Sequence, residues 1–260
     1  MRRRGNMRRE PSRSLPPLAP AASATYNTPV IPLRDNIPSR TAPVVTVALI
    51  VINVLVFLHE TALGPHLPQF VYVYGLVPAR FVYWDGNPLD PARFVPLLTS
   101  MFWHGGWLHL IGNMLYLWIF GDNVEDKLGH FRFVIFYLLC GLGAALCQVA
   151  LSPESAIPTV GASGAIAGVL GAYLVSFPRS RVVTVIPIFI FPWIVQIPAV
   201  LYLLFWFAMQ LLSGVASLNV PEGAGGVAWW AHIGGFIAGI VGVFVLAPSQ
   251  RRSVARELPL

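Results

Sequence analysis

The chain is short of charge. Asp, Glu, Lys and Arg make up only 11% of its 260 residues, while 56% are hydrophobic. A soluble domain carries roughly 25% charged residues, so the shortage excludes an ordinary water-exposed globule and identifies a polytopic membrane protein. Cysteine is equally scarce. Cys140 and Cys147 lie seven apart on one apolar segment and belong to no metal-ligand spacing, so they read as reduced packing thiols, and neither a disulfide framework nor a metal site is expected. The first apolar stretch begins only about forty residues in and lacks a small-residue cleavage site, so no secretory leader is expected. The spans are expected to bury no Asp, Glu, Lys or Arg, which disfavours an ion pathway.

Six apolar segments are present, at residues 43–61, 107–120, 131–151, 161–177, 197–213 and 228–246. Several fall short of the roughly 20 residues needed for a full crossing, so flanking residues or local thinning must make up the difference. Residues 1–42 are rich in Pro, Arg, Ser and Ala without apolar periodicity and read as a disordered tail. Residues 43–247 form the membrane domain, and 248–260 form a short basic tail. Pro43 suits the first helical position, and Asn53 reads as a hydrogen-bonding residue between helices. The formal net charge is +6 and the pI about 9.7. With a cytoplasmic N-terminus, every one of the 17 Lys and Arg residues except Arg80 and Arg93 falls on the cytoplasmic side. The expected location is therefore a cell (inner) membrane with both termini cytoplasmic. The Arg-rich start reads as a topology and anionic-lipid signal, not as a nucleic-acid contact.

The chemistry centres on two segments. Gly161-Ala162-Ser163-Gly164 opens the fourth, and His232 lies just inside the sixth. A nucleophilic hydroxyl needs a base to accept its proton and donors to hold the oxyanion that forms. His232 can be the base. His109 and Asn113 are four apart, share one helical face and can point at one spot, with His104 nearby at the outer end. Each has a plainer reading by itself: Ser163 as an N-cap or small packing residue, His109 and Asn113 as interhelical glue, and His104 as an interfacial histidine. Pro158 and Gly161 keep the approach to Ser163 irregular, which is tolerated at membrane depth only beside protein or a water-filled cavity. Gly164, Gly168 and Gly171 clear one side of the fourth segment. Gly235 and Gly239 follow His232 on its own face in a Gly-x-x-x-Gly pattern, so the two backbones can approach closely. No carboxylate accompanies His232 within a span, so the minimal arrangement is a Ser–His dyad.

The order of an Asn/His cluster, then Gly-x-Ser-Gly, then Ala231-His232-x-x-Gly235-x-x-x-Gly239 resembles the rhomboid family of intramembrane serine proteases, in its bacterial type with a six-span core, over about residues 43–247. The resemblance implies an all-α membrane protein with six transmembrane helices in a bundle and a half-embedded loop between spans one and two. It also implies a serine endopeptidase that hydrolyses peptide bonds in or near transmembrane segments of membrane proteins. Ser163 would be the nucleophile and His232 the base, with His109, Asn113 and His104 as oxyanion support. Transmembrane protein substrates and membrane lipids are the implied partners, with no cofactor, no metal and no nucleic acid, and the oligomeric state is left open. The alternative is a non-catalytic rhomboid-like protein that binds membrane helices for quality control; a transporter ranks third.

Two positions depart from common family patterns. Val95-Pro96 stands where a Trp-Arg pair is often found, with Arg93 close by. Ala167 stands where some members have an aromatic ring stacked on the catalytic histidine. Glu125, within the charge-rich run 122–130 that reads as a cytoplasmic turn, resembles a structural glutamate of the family and is expected to be a polar anchor. Residues 218–227, rich in glycine, read as a mobile outer cap. Pro187, Pro192 and Pro198 leave the start of the span-five helix open.

Overall fold

A computed structural model describes residues 31–188, 191–218 and 227–247. The expected basic tail 248–260, most of the expected cap, and residues 1–30 lie outside the described residues. Nine helices are described: α1 (Val44–Ala62), α2 (Leu67–Tyr74), α3 (Pro78–Val82), α4 (Pro91–Thr99), α5 (Trp107–Leu128), α6 (His130–Leu151), α7 (Ser163–Ser176), α8 (Ala199–Ser217) and α9 (Trp229–Leu246). Of these, α1, α6, α8 and α9 are long and apolar enough to cross a membrane. Helix α7 is apolar but shorter, and α5 is long but interrupted by polar residues such as Asn113 and Glu125. The molecule is thus a helical membrane bundle.

Helix α7 sits at the centre of that bundle. Every residue from Gly164 to Tyr173 is buried, against α5, α6 and α9. The closeness to α9 comes from glycines facing backbone. A Cβ on Gly235 would run into the carbonyl of Gly164, one on Gly239 into the carbonyl of Gly168, and one on Gly171 into the carbonyl of Phe236. Around this contact the largest enclosed side chains are Phe120 of α5, Phe133, Phe136 and Tyr137 of α6, Tyr173 of α7 and Phe236 of α9. Packing and interhelical hydrogen bonds, not hydrophobic transfer, hold helices together in lipid, and small residues at the interface increase the contact available.

Residues 62–106 are more ordered than a loop. Helices α2, α3 and α4 and two short 3-10 turns fill the segment. Tyr74 and Trp103 stack with centroids 5.6 Å apart. Arg93 donates from Nε to the Phe81 carbonyl at 3.0 Å and lies over the Phe81 ring at 4.9 Å, tying α4 to α3. Pro96 is buried within α4, five residues after Pro91, in a helix that Asp90 caps by accepting from the Ala92 N–H.

Three sequence expectations are corrected. The charged run after residue 121 is not a turn: α5 continues through Leu128, and the chain reverses only at Gly129, whose φ of 80° suits glycine. The class is not purely α. Strands β1 (Ile31–Asp35), β2 (Arg181–Ile188) and β3 (Phe191–Pro198) form an antiparallel sheet in the order β1-β2-β3. Val182, Val183, Thr184, Val185 and Ile186 are β-branched and favour a pleated backbone, while Pro187 and Pro192 face each other near the hairpin end, where few ladder bonds are lost. Helix α8 starts directly after Pro198. Lastly, the tail does not stay irregular up to residue 42, because β1 and the residues after it are fastened to the bundle. Asp35 accepts from Tyr173 Oη at 2.5 Å and Asn123 Nδ2 at 2.9 Å, Asn36 accepts from the Arg181 N–H at 2.7 Å, and Ser39 and Thr41 bond to Asp122 and Asp126 of α5. These partners come from α5, α7 and β2, so a reading of residues 31–42 by themselves could not supply them.

Candidate active site

Ser163 is the first residue of α7, and the chain leading to it is pinned on both sides. Thr159 exchanges two backbone hydrogen bonds with Leu76, and the Gly161 N–H donates to the Ser100 carbonyl at 2.9 Å. This answers how irregular backbone is satisfied inside a membrane bundle: the 62–106 segment supplies the partners. The Ser163 hydroxyl lies 2.8 Å from His232 Nε2. The first-turn amides of α7 surround the hydroxyl with partial positive charge.

His232 is held from three sides. Its Nδ1 lies 2.7 Å from Gln210 Oε1 of α8. Trp206, one turn before Gln210, lies over the ring at a centroid distance of 5.9 Å and 35°, and Trp229 meets it edge-on at 6.2 Å. The α9 start is fastened separately by Gln148 of α6, whose Oε1 accepts from the Ala231 N–H at 3.2 Å. Ala167 is fully buried and gives His232 no ring; the aromatic support comes from Trp206 of α8 and Trp229 of α9 instead. Neither Gln210 nor Trp206 was among the candidates read from the sequence. The signal was a single amide in the apolar run of α8, four residues after a tryptophan, since an amide among lipid-facing residues calls for a partner.

The histidines and the asparagine of α5 converge beside Gly161. That glycine has φ 125°, and a Cβ there would lie 2.7 Å from His109 Nε2 and 3.5 Å from Asn113 Nδ2. His109 Nδ1 accepts from the Gly105 N–H at 3.3 Å, so in the neutral ring its Nε2 carries the hydrogen and is a donor aimed at that spot. Asn113 Nδ2 is buried and, among the described residues, has no hydrogen-bond partner. Two donors thus stand open at one place beside the start of α7.

His104 behaves differently. Its Nδ1 donates to the Phe102 carbonyl at 3.2 Å, which leaves Nε2 as an acceptor, buried and unpartnered among the described residues. Burial, and next the neighbouring His109, push its imidazole down to about 4, so it is neutral. A bare acceptor suits a water hydrogen, not an oxyanion. The backbone of His104 is held by Glu60 of α1, which accepts from its N–H at 3.1 and 3.2 Å. Glu60 and Glu125 are both almost fully enclosed, which corrects the expectation that the spans bury no acid, and each is tied to backbone N–H groups.

A hydroxyl–imidazole pair thus stands at the start of a central helix in a membrane bundle, next to two side-chain donors. Residues 91–249 match the rhomboid domain family; the chain belongs to the rhomboid family. It is 30% identical over 169 residues, 61% of its length, to the presenilin-associated rhomboid-like protein, mitochondrial, of Mus musculus. It is 32% identical over 153 residues, 58% of its length, to RHOMBOID-like protein 5 of Arabidopsis thaliana. It is 32% identical over 120 residues, 46% of its length, to Rhomboid-like protein 11, chloroplastic, of the same plant. The matched stretches span 40%, 43% and 38% of those relatives. These names correct the expected location in a cell (inner) membrane. The mouse relative is mitochondrial by name and one of the two plant relatives is chloroplastic, which points to organellar membranes. A bias of basic residues reports which side the charges occupy and cannot tell one energy-coupled membrane from another.

Proposed function

We propose that this chain is a serine endopeptidase that hydrolyses peptide bonds in or near transmembrane segments of membrane proteins, using Ser163 as nucleophile and His232 as general base. The observation that carries this reading is the 2.8 Å contact between Ser163 Oγ and His232 Nε2. Ser163 Oγ attacks the substrate carbonyl and its proton passes to Nε2. The oxyanion of the tetrahedral intermediate accepts from His109 Nε2 and Asn113 Nδ2, with the Ser163 N–H alongside. The C–N bond breaks as His232 returns the proton to the departing amine, leaving an acyl-enzyme. A water molecule, oriented by the bare Nε2 of His104, then attacks that ester with His232 again as base, and Ser163 is regenerated.

The same reading assigns six spans to α1, α5, α6, α7, α8 and α9, with α2 to α4 lying at the membrane surface between the first two. Membrane lipids are the surroundings, and membrane-spanning substrates with a small residue before the cut are the partners; nucleic acid has no role. Labelling of the purified full chain in detergent with a fluorophosphonate tests the assignment. The wild type should be labelled and should cleave a single-span substrate in proteoliposomes, and Ser163→Ala and His232→Ala should do neither. A wild type that binds membrane helices but shows no labelling above Ser163→Ala would establish the non-catalytic helix-binding role in its place.

A further inference from the structure

We propose that Gln210 is a positioning residue for His232: its side-chain amide fixes which imidazole nitrogen carries the hydrogen, the task a carboxylate performs in a Ser–His–acid triad. The catalytic consequence rests on the protease reading of Ser163 and His232, whereas the hydrogen-bond argument does not.

Gln210 is buried in a helix that otherwise offers apolar side chains around it. An amide in such surroundings is costly unless its groups are bonded. Both of its groups are. Nε2 donates to the Trp206 carbonyl one turn back at 3.3 Å, and a carbonyl can only accept, so the orientation of the amide is decided. Oε1 therefore faces His232 Nδ1 at 2.7 Å, and because Oε1 cannot donate, Nδ1 must carry the hydrogen. Nε2 is then left with a free lone pair directed at the Ser163 hydroxyl at 2.8 Å, the state a general base needs. In the opposite tautomer two acceptors would face each other at Gln210 while Nε2–H pointed at Ser163, unable to take its proton. The rings of Trp206 and Trp229 confine the imidazole plane, so the amide sets the hydrogen and the indoles set the pose. An amide differs from a carboxylate in one respect: it orders the neutral ring without a full negative charge, and no second ion has to be buried beside the dyad.

Two readouts on the full chain in detergent test this. With nitrogen-15 histidine, the His232 signals are assigned by their loss in His232→Ala. The wild type should show a single tautomer with the hydrogen on Nδ1, Gln210→Met a mixture, and Gln210→Glu the Nδ1 form again. In parallel, fluorophosphonate acylation of Ser163 should slow on the order of 10- to 100-fold in Gln210→Met, with the probe concentration for half-saturation unchanged. That is less than the roughly 10⁴-fold loss when a triad histidine is locked in the wrong tautomer, because Met leaves the tautomers exchanging. Gln210→Glu should recover most of the rate, which separates an acceptor at position 210 from mere packing. A single Nδ1 tautomer and an unchanged rate in Gln210→Met would overturn the proposal, as would an Nε2–H tautomer in the wild type. Absence of wild-type acylation together with a tautomer change in Gln210→Met would sink the protease reading and uphold the role of Gln210.

Discussion

At the Leu128 end of α5, Glu125 accepts hydrogen bonds from the N–H groups of Val45 and Thr46, the Thr46 hydroxyl and His130 Nδ1, at 2.6 to 2.9 Å. At the Trp107 end of the same helix, Asn113 Nδ2 is equally buried and, among the described residues, meets nothing. Both ends carry polar side chains in an apolar bundle, and both incur the desolvation cost of burying them. At the charged end that cost is offset by bonds that join α1 to α5 and dock the chain before α1. At the other end no protein group among the described residues pairs Asn113 Nδ2, which leaves it for the oxyanion proposed above. One end of the helix therefore has its polar groups engaged in holding the bundle, and the other keeps donors for the chemistry proposed above.

The contrast can be broken most sharply at the dyad that the open end serves. Ser163→Ala and His232→Ala should each abolish cleavage of a single-span substrate while melting temperature in detergent stays near that of the wild type. Because nucleophile and base act as one unit, the double variant should be scarcely worse than either single one. Substantial cleavage by purified Ser163→Ala would remove the nucleophile from the scheme. Next, Asn113→Ala should lower turnover on the order of 10²- to 10³-fold, as loss of one oxyanion donor does, without lowering the melting temperature, since its Nδ2 has no bond to lose. His109→Ala should resemble it in turnover. A cooperative loss of fold in Asn113→Ala would show that the open end is structural after all.

Glu125→Ala should do the reverse. It leaves two N–H groups and a hydroxyl of α1 unpaired in a buried place, for a destabilisation of about 2 to 4 kcal/mol, read as a lower midpoint in thermal unfolding. Turnover per folded molecule should stay within a few-fold of wild type. The smallest effect expected is at the helix contact between the two ends. Gly239→Ala drives a methyl group into the Gly168 carbonyl, and the resulting shift of α9 should cost about 1 to 3 kcal/mol, the range for overpacking. It should also weaken acylation of Ser163 because His232 rides on α9. Unchanged stability and acylation in Gly239→Ala would mean that α7 and α9 are not held as tightly as their glycines suggest.

The helical core was legible because lipid imposes simple demands: long apolar runs, small residues where helices meet, and polar residues only where they have a use. Gly164, Gly168, Gly235 and Gly239 lie along the α7–α9 contact for that reason, and the Ser163–His232 meeting follows from it. The hairpin 181–198 was not legible, because an apolar stretch with three prolines is compatible with a broken helix as well as with strands. Gln210 escaped notice because its meaning lies in a partner on another helix; alone, one amide in an apolar run is indistinguishable from helix glue. Arg93 had no readable role for the same reason, its guanidinium being engaged with a carbonyl and a ring of α3.

What the sequence by itself determined is the inventory and its periodicity: which residues can act as nucleophile, base and donor, and which helical faces are small enough to approach. Those are local properties, set by residue type and by the 3.6-residue repeat. The tertiary structure alone decided which buried polar groups are paired and which are not, and which groups face the ring nitrogens of His104, His109 and His232. Hydrogen bonds depend on distances between elements far apart in the chain, and no local pattern encodes whether Asn113 finds a partner, or that Gln210, and not a carboxylate, stands behind His232.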